Sequence, residues 1–416
     1  MLKQELLEEI RQMPVIDTHE HFERYMETFG VTMPQFFYNC SCASVYANDL
    51  EKEDVRLLQR DDVPESEQFR ALLRVKQRLR FTSCGRSMDR IAEKLQCELN
   101  EETCDALSKR FHERTKAQIR GQTPTIEGFI CNSIGHPMYG GMRGLKRFLA
   151  HKMPADEAMH RVLNVTDLHC ISSQEKLEAL EYVSGCTIGN LQDWEEACQR
   201  MIDGALELGI VGFKELYLYF RPMELGTATR EQAQRELDKL RSGQIPDAAL
   251  MDYMIYRVYE RIAQTKLPVA VHTGALLHTA ETAKGLSQYK NLICSFPEIK
   301  FDLLHLNYPA LDEYLIVLRS CSNTYTNAAW VTTGNRQYSL QFIRTVMDHI
   351  AAERVSFFGG DRCCAGEAVQ VALEQTQDVL AEGLQQLIEC GQLNRREALE
   401  IAALWMYKNP KDLYNL

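Results

Sequence analysis

From about residue 160 onward, short β-branched or apolar runs alternate with longer stretches of helical periodicity, the pattern of repeated strand–helix units on a parallel sheet. With one further run near the start, the candidate strands are Val15–Thr18, Val162–Thr166, Ala179–Val183, Val211–Leu218, Pro268–His272, Lys300–His305, Thr324–Asn327 and Val355–Gly360. That set matches the strand count of a (β/α)8 TIM barrel. Helices fill the gaps. Asp193–Leu208 carries Ala197, Met201, Ala205 and Leu208 on one face and is followed by Gly209, a C-terminal stop. Asp247–Gln264, Leu311–Arg319, Tyr338–Ala352 and Glu367–Cys390 have the same periodicity, and Asn394 can cap a last helix, Arg395–Met406.

The stretch Phe22–Lys152 breaks the alternation. It is rich in Arg, Glu and Gln, reads as helical over Asp61–Leu79 and Met88–Arg120, and ends in a Gly-rich segment, Asn132 to Arg143. The expected organisation is a barrel formed by residues 1–21 and 153–416, with 22–152 as a mainly helical insertion after the first strand. Such an insertion can cap the C-terminal mouth of the barrel, where long loops shape substrate pockets.

Composition narrows the partners. The chain has 416 residues, 45% hydrophobic and 25% charged, as in ordinary globular proteins. No run approaches the roughly 18 apolar residues that cross a bilayer, so no membrane partner is expected. Met1 to Met13 alternates charged and apolar residues without a signal-peptide core, which predicts a cytoplasmic protein. A net charge of −11 disfavours nucleic acid and leaves small molecules as the expected partners. Assembly of several copies of the chain is compatible with the sequence. The 14 cysteines are diluted through apolar and helical stretches and read as reduced thiols. Two tight pairs, Cys40/Cys42 and Cys363/Cys364, are soft-ligand types but lack the spacing of a structural zinc site, and read as packing or loop residues.

The chemistry gathers at strand ends. The first strand runs into His19-Glu20-His21, and alternate residues of an extended chain share a face, so both imidazoles can hold one metal ion. Lys214 lies inside the fourth strand, His272 and His305 end the fifth and sixth, and Asp361 ends the eighth. Ionisable groups at C-terminal strand ends are where barrel enzymes place catalytic residues, and His and carboxylate suit zinc, manganese or iron.

This order of His-x-His, Lys, His, His and Asp resembles the amidohydrolase superfamily. The segments Gly212-Phe-Lys214, Val271-His-Thr-Gly274, Gly359-Gly-Asp361 and the tail from Ala398 to Leu416 resemble its amidohydrolase-related branch, which includes uronate isomerase-like proteins and domains associated with glutamine synthetase-like enzymes. The resemblance implies that His19, His21 and Asp361 bind one divalent metal, zinc first, and that His272 and His305 bind a second. Lys214, carboxylated by carbon dioxide, would bridge them; a single-metal site using His305 as an acid or base is the alternative. An ammonium beside two dications would be repelled by several kcal/mol, which independently requires Lys214 to be neutral, carbamylated or beside an incomplete site.

The implied activity is metal-dependent hydrolysis of a C–N bond in a small, carboxylated substrate, with Asp361 as general base and then general acid. Uronate-type aldose–ketose isomerisation or decarboxylation on the same scaffold is the alternative, and a catalytically silent binding module is a second. For substrate contacts the sequence offers Arg221, just beyond the fourth strand, and Arg362, either of which can pair with a carboxylate. It also offers His136 and Tyr139 in the Gly-rich segment, and Trp330 after the seventh strand.

Overall fold

A computed structural model of the chain describes residues 2–22, 32–114, 116–136, 141–150, 157–221, 224–275 and 285–416. Eight strands pair in chain order, every pair parallel: β1 (Val15–Glu20), β2 (Ile126–Ile134), β3 (Met159–Asn164), β4 (Gly212–Glu215), β5 (Val269–His272), β6 (Phe301–Leu304), β7 (Thr324–Asn327) and β8 (Val355–Ser356). The two edges meet through backbone bonds: Thr18 N donates to Phe358 O (3.1 Å), Asp361 N to His19 O (2.7 Å) and His21 N to Arg362 O (2.8 Å). The sheet is therefore wrapped into the (β/α)8 architecture that the alternation predicted. Strands β4, β5 and β6 are buried along their whole length, because helices cover one side and barrel side chains fill the other.

The second strand is not where the periodicity placed it. Val162–Thr166 overlaps the third barrel strand, and Ala179–Val183 lies inside a helix, Gln174–Ser184. That helix has Ser173 accepting from Lys176 N at its start, a left-handed Gly185 at its end (φ 68°), and Leu177 and Leu180 buried one turn apart. Caps and a 3.6-residue period outweigh a brief apolar run. The true second strand, β2, lies within the stretch read as insertion, as does the helix Gly141–Leu149 that packs on it. Glu127, Gly128 and Asn132 interrupt its apolar pattern. Gly128 gives room to its neighbours: a Cβ would stand 3.0 Å from His160 Nε2 and 3.4 Å from Ile16 Cδ1.

Between β1 and β2 the described chain is helical, including Met33–Cys40, Glu65–Leu79, Ser83–Lys94 and Cys104–His112. The expected Met88–Arg120 helix is broken into shorter pieces, with Gln96 left-handed (φ 56°) and Asn100 starting a new turn. These helices have their own core, with Phe36, Phe37, Phe69, Leu72 and Phe111 packed against Cys364, Ala368 and Val371. The last two lie on the helix Glu367–Glu389 that follows β8. The excursion is thus seated on the element next to Asp361. No helix among the described residues is long and apolar enough to cross a membrane.

Candidate metal centre

The centre is organised by the approach of the β8 end to β1. A Cβ on Gly359 would lie 2.7 Å from Ala329 Cβ and 2.9 Å from Thr18 Oγ1, and one on Gly360 would collide with the Glu20 carboxylate. Only glycine lets this backbone lie against β1. Asp361, itself left-handed (φ 55°), then turns its carboxylate onto the two histidines, with Oδ1 3.0 Å from His21 Nε2 and 3.6 Å from His19 Nε2.

His305 arrives from the end of β6, where His305, Leu306 and Asn307 all have positive φ (68°, 51° and 51°). Strained backbone of this kind persists where surrounding structure fixes it, commonly at functional sites. Its Nδ1 donates to Ala329 O (3.0 Å), which leaves Nε2 as the lone-pair nitrogen, buried and without a hydrogen-bond partner. His19 Nδ1 is likewise buried without a partner. One donor atom each from His19, His305 and Asp361 lies within 4.8 Å of the others. Ring centroids continue the cluster, with His19 4.8 Å from His21 and 5.3 Å from His305, and His305 4.5 Å from His272. His272 Nε2 faces Ala275 O at 3.2 Å, so in that tautomer Nδ1 carries its lone pair.

Lys214 is fully buried and its Nζ has no hydrogen-bond partner. Burial lowers its pKa to about 7, against the pull of Asp361, Asp302 and Glu215. Burial also holds His19 and His272 well below the usual imidazole range and brings His305 to about 4, so these rings are neutral, the metal-binding form. Burial opposes ionisation of Asp361, but His19 and the His21 hydrogen bond outweigh it and keep its pKa well below the carboxylate norm. Donor atoms of His19, His305 and Asp361 gathered within 4.8 Å of one another, with the buried His305 Nε2 left unpartnered, form a set that fits a divalent ion of the zinc, manganese or iron class.

The remaining sequence candidates are dispersed. His136 is buried with its ring 5.0 Å from that of His21, so the Gly-rich segment reaches the centre; Tyr139 lies outside the described residues. Arg221 is held by Asp252 (2.8 Å) and by the Glu224 carbonyl (3.2 Å). Arg362 is buried, and its guanidinium donates to Cys42 Sγ (3.0 Å) and Thr333 Oγ1 (3.1 Å) while Nε has no partner. Trp330, left-handed at φ 68°, joins Cys42, Tyr308 and Thr333 in lining a cavity of about 130 Å³.

Two supporting groups went unread in the sequence. Asp17 Oδ1 accepts from Gly360 N (3.0 Å) and His19 N (3.3 Å), and Glu20 Oε2 accepts from Arg362 N (2.6 Å). Burial raises the pKa of both carboxyls, so the pair retains protons that isolated carboxyls would lose. Their only signal was position, Asp17 two residues before His19 and Glu20 between the histidines. Behind β4, Glu215 accepts from Thr166 Oγ1 (2.7 Å) and faces His169 Nε2 (2.8 Å), anchoring the residue next to Lys214.

A family model described as "Amidohydrolase" matches residues 186–416. No curated protein sequence matches the chain. Among solved structures, a uronate isomerase from Thermotoga maritima aligns with a TM-score of 0.73 at 14% identity, over 99% of this chain and 97% of that one. A uronate isomerase from Bacillus halodurans aligns at 0.74 and 12%, over 100% and 96% of the two chains. A glucuronate isomerase from Caulobacter crescentus aligns at 0.75 and 13%, over 100% and 94%. At these identities the likeness is one of fold, and it extends through the helical excursion as well as the barrel.

Proposed function

Because this chain belongs to the amidohydrolase family, we propose that it is a metal-dependent hydrolase of a C–N bond in a small, carboxylated substrate. The observation that carries the reading is Lys214, a buried amine without a hydrogen-bond partner beside three neutral imidazoles and an ionised aspartate. As a free amine Lys214 can add carbon dioxide, forming a carbamate and releasing one proton, which would convert an orphaned donor into an anionic ligand. His19, His21 and Asp361 would hold one divalent ion, and His272 and His305 a second. Such ions supply Lewis acidity and lower the pKa of water.

The side chains then divide the work. Asp361, ionised and shared between His19 and His21, accepts a proton from the nucleophile and returns it to the leaving nitrogen. Arg362 touches two residues that line the Trp330 cavity and has an unpaired Nε, so it is better disposed than Arg221 to receive a substrate carboxylate. Trp330 forms an apolar wall, and the His136 ring lies beside that of His21. A reducing cytoplasm suits the 14 unpaired cysteines.

Aldose–ketose isomerisation is the second reading, favoured by the whole-length likeness to uronate isomerases. The two separate on metal count and on Lys214. Protein in which Cys363 is replaced by serine, so that no thiolate site adds to the count, is loaded with zinc in labelled bicarbonate and assayed by elemental analysis and carbon NMR. Two metals and a carbamate resonance that vanishes in Lys214→Met support hydrolysis. One metal, no resonance and conversion of a uronate to its ketose overturn it in favour of isomerisation. A chain that takes up no metal sinks both.

A further inference from the structure

Cysteines that are remote in sequence meet beside the metal centre. Cys40 ends the helix Met33–Cys40, while Cys363 and Cys364 follow Asp361. Cys40 Sγ and Cys363 Sγ are 3.6 Å apart across a separation of 323 residues, and all three sulfurs lie within 4.8 Å of one another. Cys40 and Cys364 are buried, whereas Cys363 is partly exposed. We propose that Cys40, Cys363 and Cys364 form a second metal site, distinct from the histidine–aspartate centre, which takes a thiophilic d10 cation of the zinc class.

The spacing carries the argument. Zinc–sulfur bonds of about 2.3 Å at tetrahedral angles place thiolate sulfurs about 3.8 Å apart, so the Cys40–Cys363 pair is already at ligand separation. A disulfide would need those sulfurs to close to about 2.05 Å. The donor set is also selective, because thiolates prefer zinc or copper(I) to the harder ions that carboxylates accept. Binding exchanges three S–H protons for one cation, giving a complex of charge about −1 with water in the fourth position. Arg362 lies near Cys40 and offsets part of that charge, while Arg114, near Cys364, is paired with Glu367. Occupancy would staple the helical excursion to the loop that begins at Asp361. Neither cysteine pair is a zinc motif alone; the site takes its ligands from both.

The test uses the full-length, reduced, metal-free protein titrated with cobalt(II) in the absence of oxygen, read in the near ultraviolet. Sulfur-to-cobalt charge transfer appears there, and imidazole and carboxylate ligands do not produce it. The expected result is a band whose final amplitude corresponds to one thiolate-bound cobalt per chain, whatever the histidine–aspartate centre also takes up; it is displaced by zinc, is lost in Cys40→Ser and in Cys363→Ser, and persists in Cys84→Ser. If Cys40→Ser does not fold, the partly exposed Cys363 carries the test. A wild-type protein without the band, a band that survives both substitutions, or a Cys40–Cys363 disulfide in protein kept in mild thiol overturns the site.

Discussion

Replacing Lys214 with methionine should make the metal-free protein more stable. The ammonium titrates at 10.5 in an unfolded chain and at about 7 in the folded one, because burial removes its hydration. Between those values the unfolded state binds more protons, so stability rises with pH. At pH 7 the mismatch costs about 4 kcal/mol, and raising the pH to 9 recovers about 2 kcal/mol of it, at about 1.4 kcal/mol per pKa unit. Methionine fills a similar volume without a charge. Urea unfolding of chelator-stripped protein in carbon dioxide-free buffer, followed by far-ultraviolet circular dichroism, reads both effects. Lys214→Met should gain up to about 4 kcal/mol at pH 7, with the gain shrinking to about 2 kcal/mol at pH 9. A variant no more stable than wild type, with a parallel pH slope, would refute the picture of a lone buried amine. Metal and carbon dioxide should reverse the order, because they convert the same residue from a liability into a ligand.

Asp361→Asn should retain much of its metal, measured by elemental analysis, yet lose at least about a hundredfold in turnover if the carboxylate moves the proton. Gly360→Ala should cost about 1–3 kcal/mol by overpacking Glu20 and should weaken metal binding as well, since the β1–β8 contact positions Asp361; calorimetry and a metal titration read the two effects. Asn190→Ala is the contrasting case. It removes an exposed cap that accepts from Gln192 N and Asp193 N, and should lower stability by about 1 kcal/mol in denaturant without changing metal affinity.

Which parts of the fold were readable follows from how locally each is encoded. The strands β5 and β6 are short, largely apolar runs between amphipathic helices and emerge from the pattern alone, whereas the apolar run of the fourth was read to Leu218 although β4 ends at Glu215. Strand β2 is different, because Glu127 and Asn132 interrupt its apolar run and Gly128 is present to accommodate His160, a residue of β3. Its identity as a strand comes from its neighbours on both sides, and that information is tertiary. The false strand Ala179–Val183 is the complementary error. Its apolar run is real, but Ser173 and Gly185 bracket a helix around it, and the caps are the stronger local signal.

The same distinction governs the centre. His19, His21, Lys214, His272, His305 and Asp361 could be singled out because each is a polar residue within or just after an apolar strand run, a conflict visible within a few positions. The groups that hold them could not. Gly359, Gly360, Asp361, Arg362, Cys363 and Cys364 are consecutive, yet in the fold they contact several different elements. The glycines admit the backbone against Thr18 and Glu20, and Asp361 faces the histidines. Arg362 reaches the cavity residues Cys42 and Thr333, and Cys363 meets Cys40 of the excursion. No periodicity marks such a segment, because its residues answer to partners scattered along the chain. It joins the barrel seam, the candidate ligand set and the helical excursion, so displacement of this loop should disturb all three together, whereas a change confined to a packing helix should leave the centre intact.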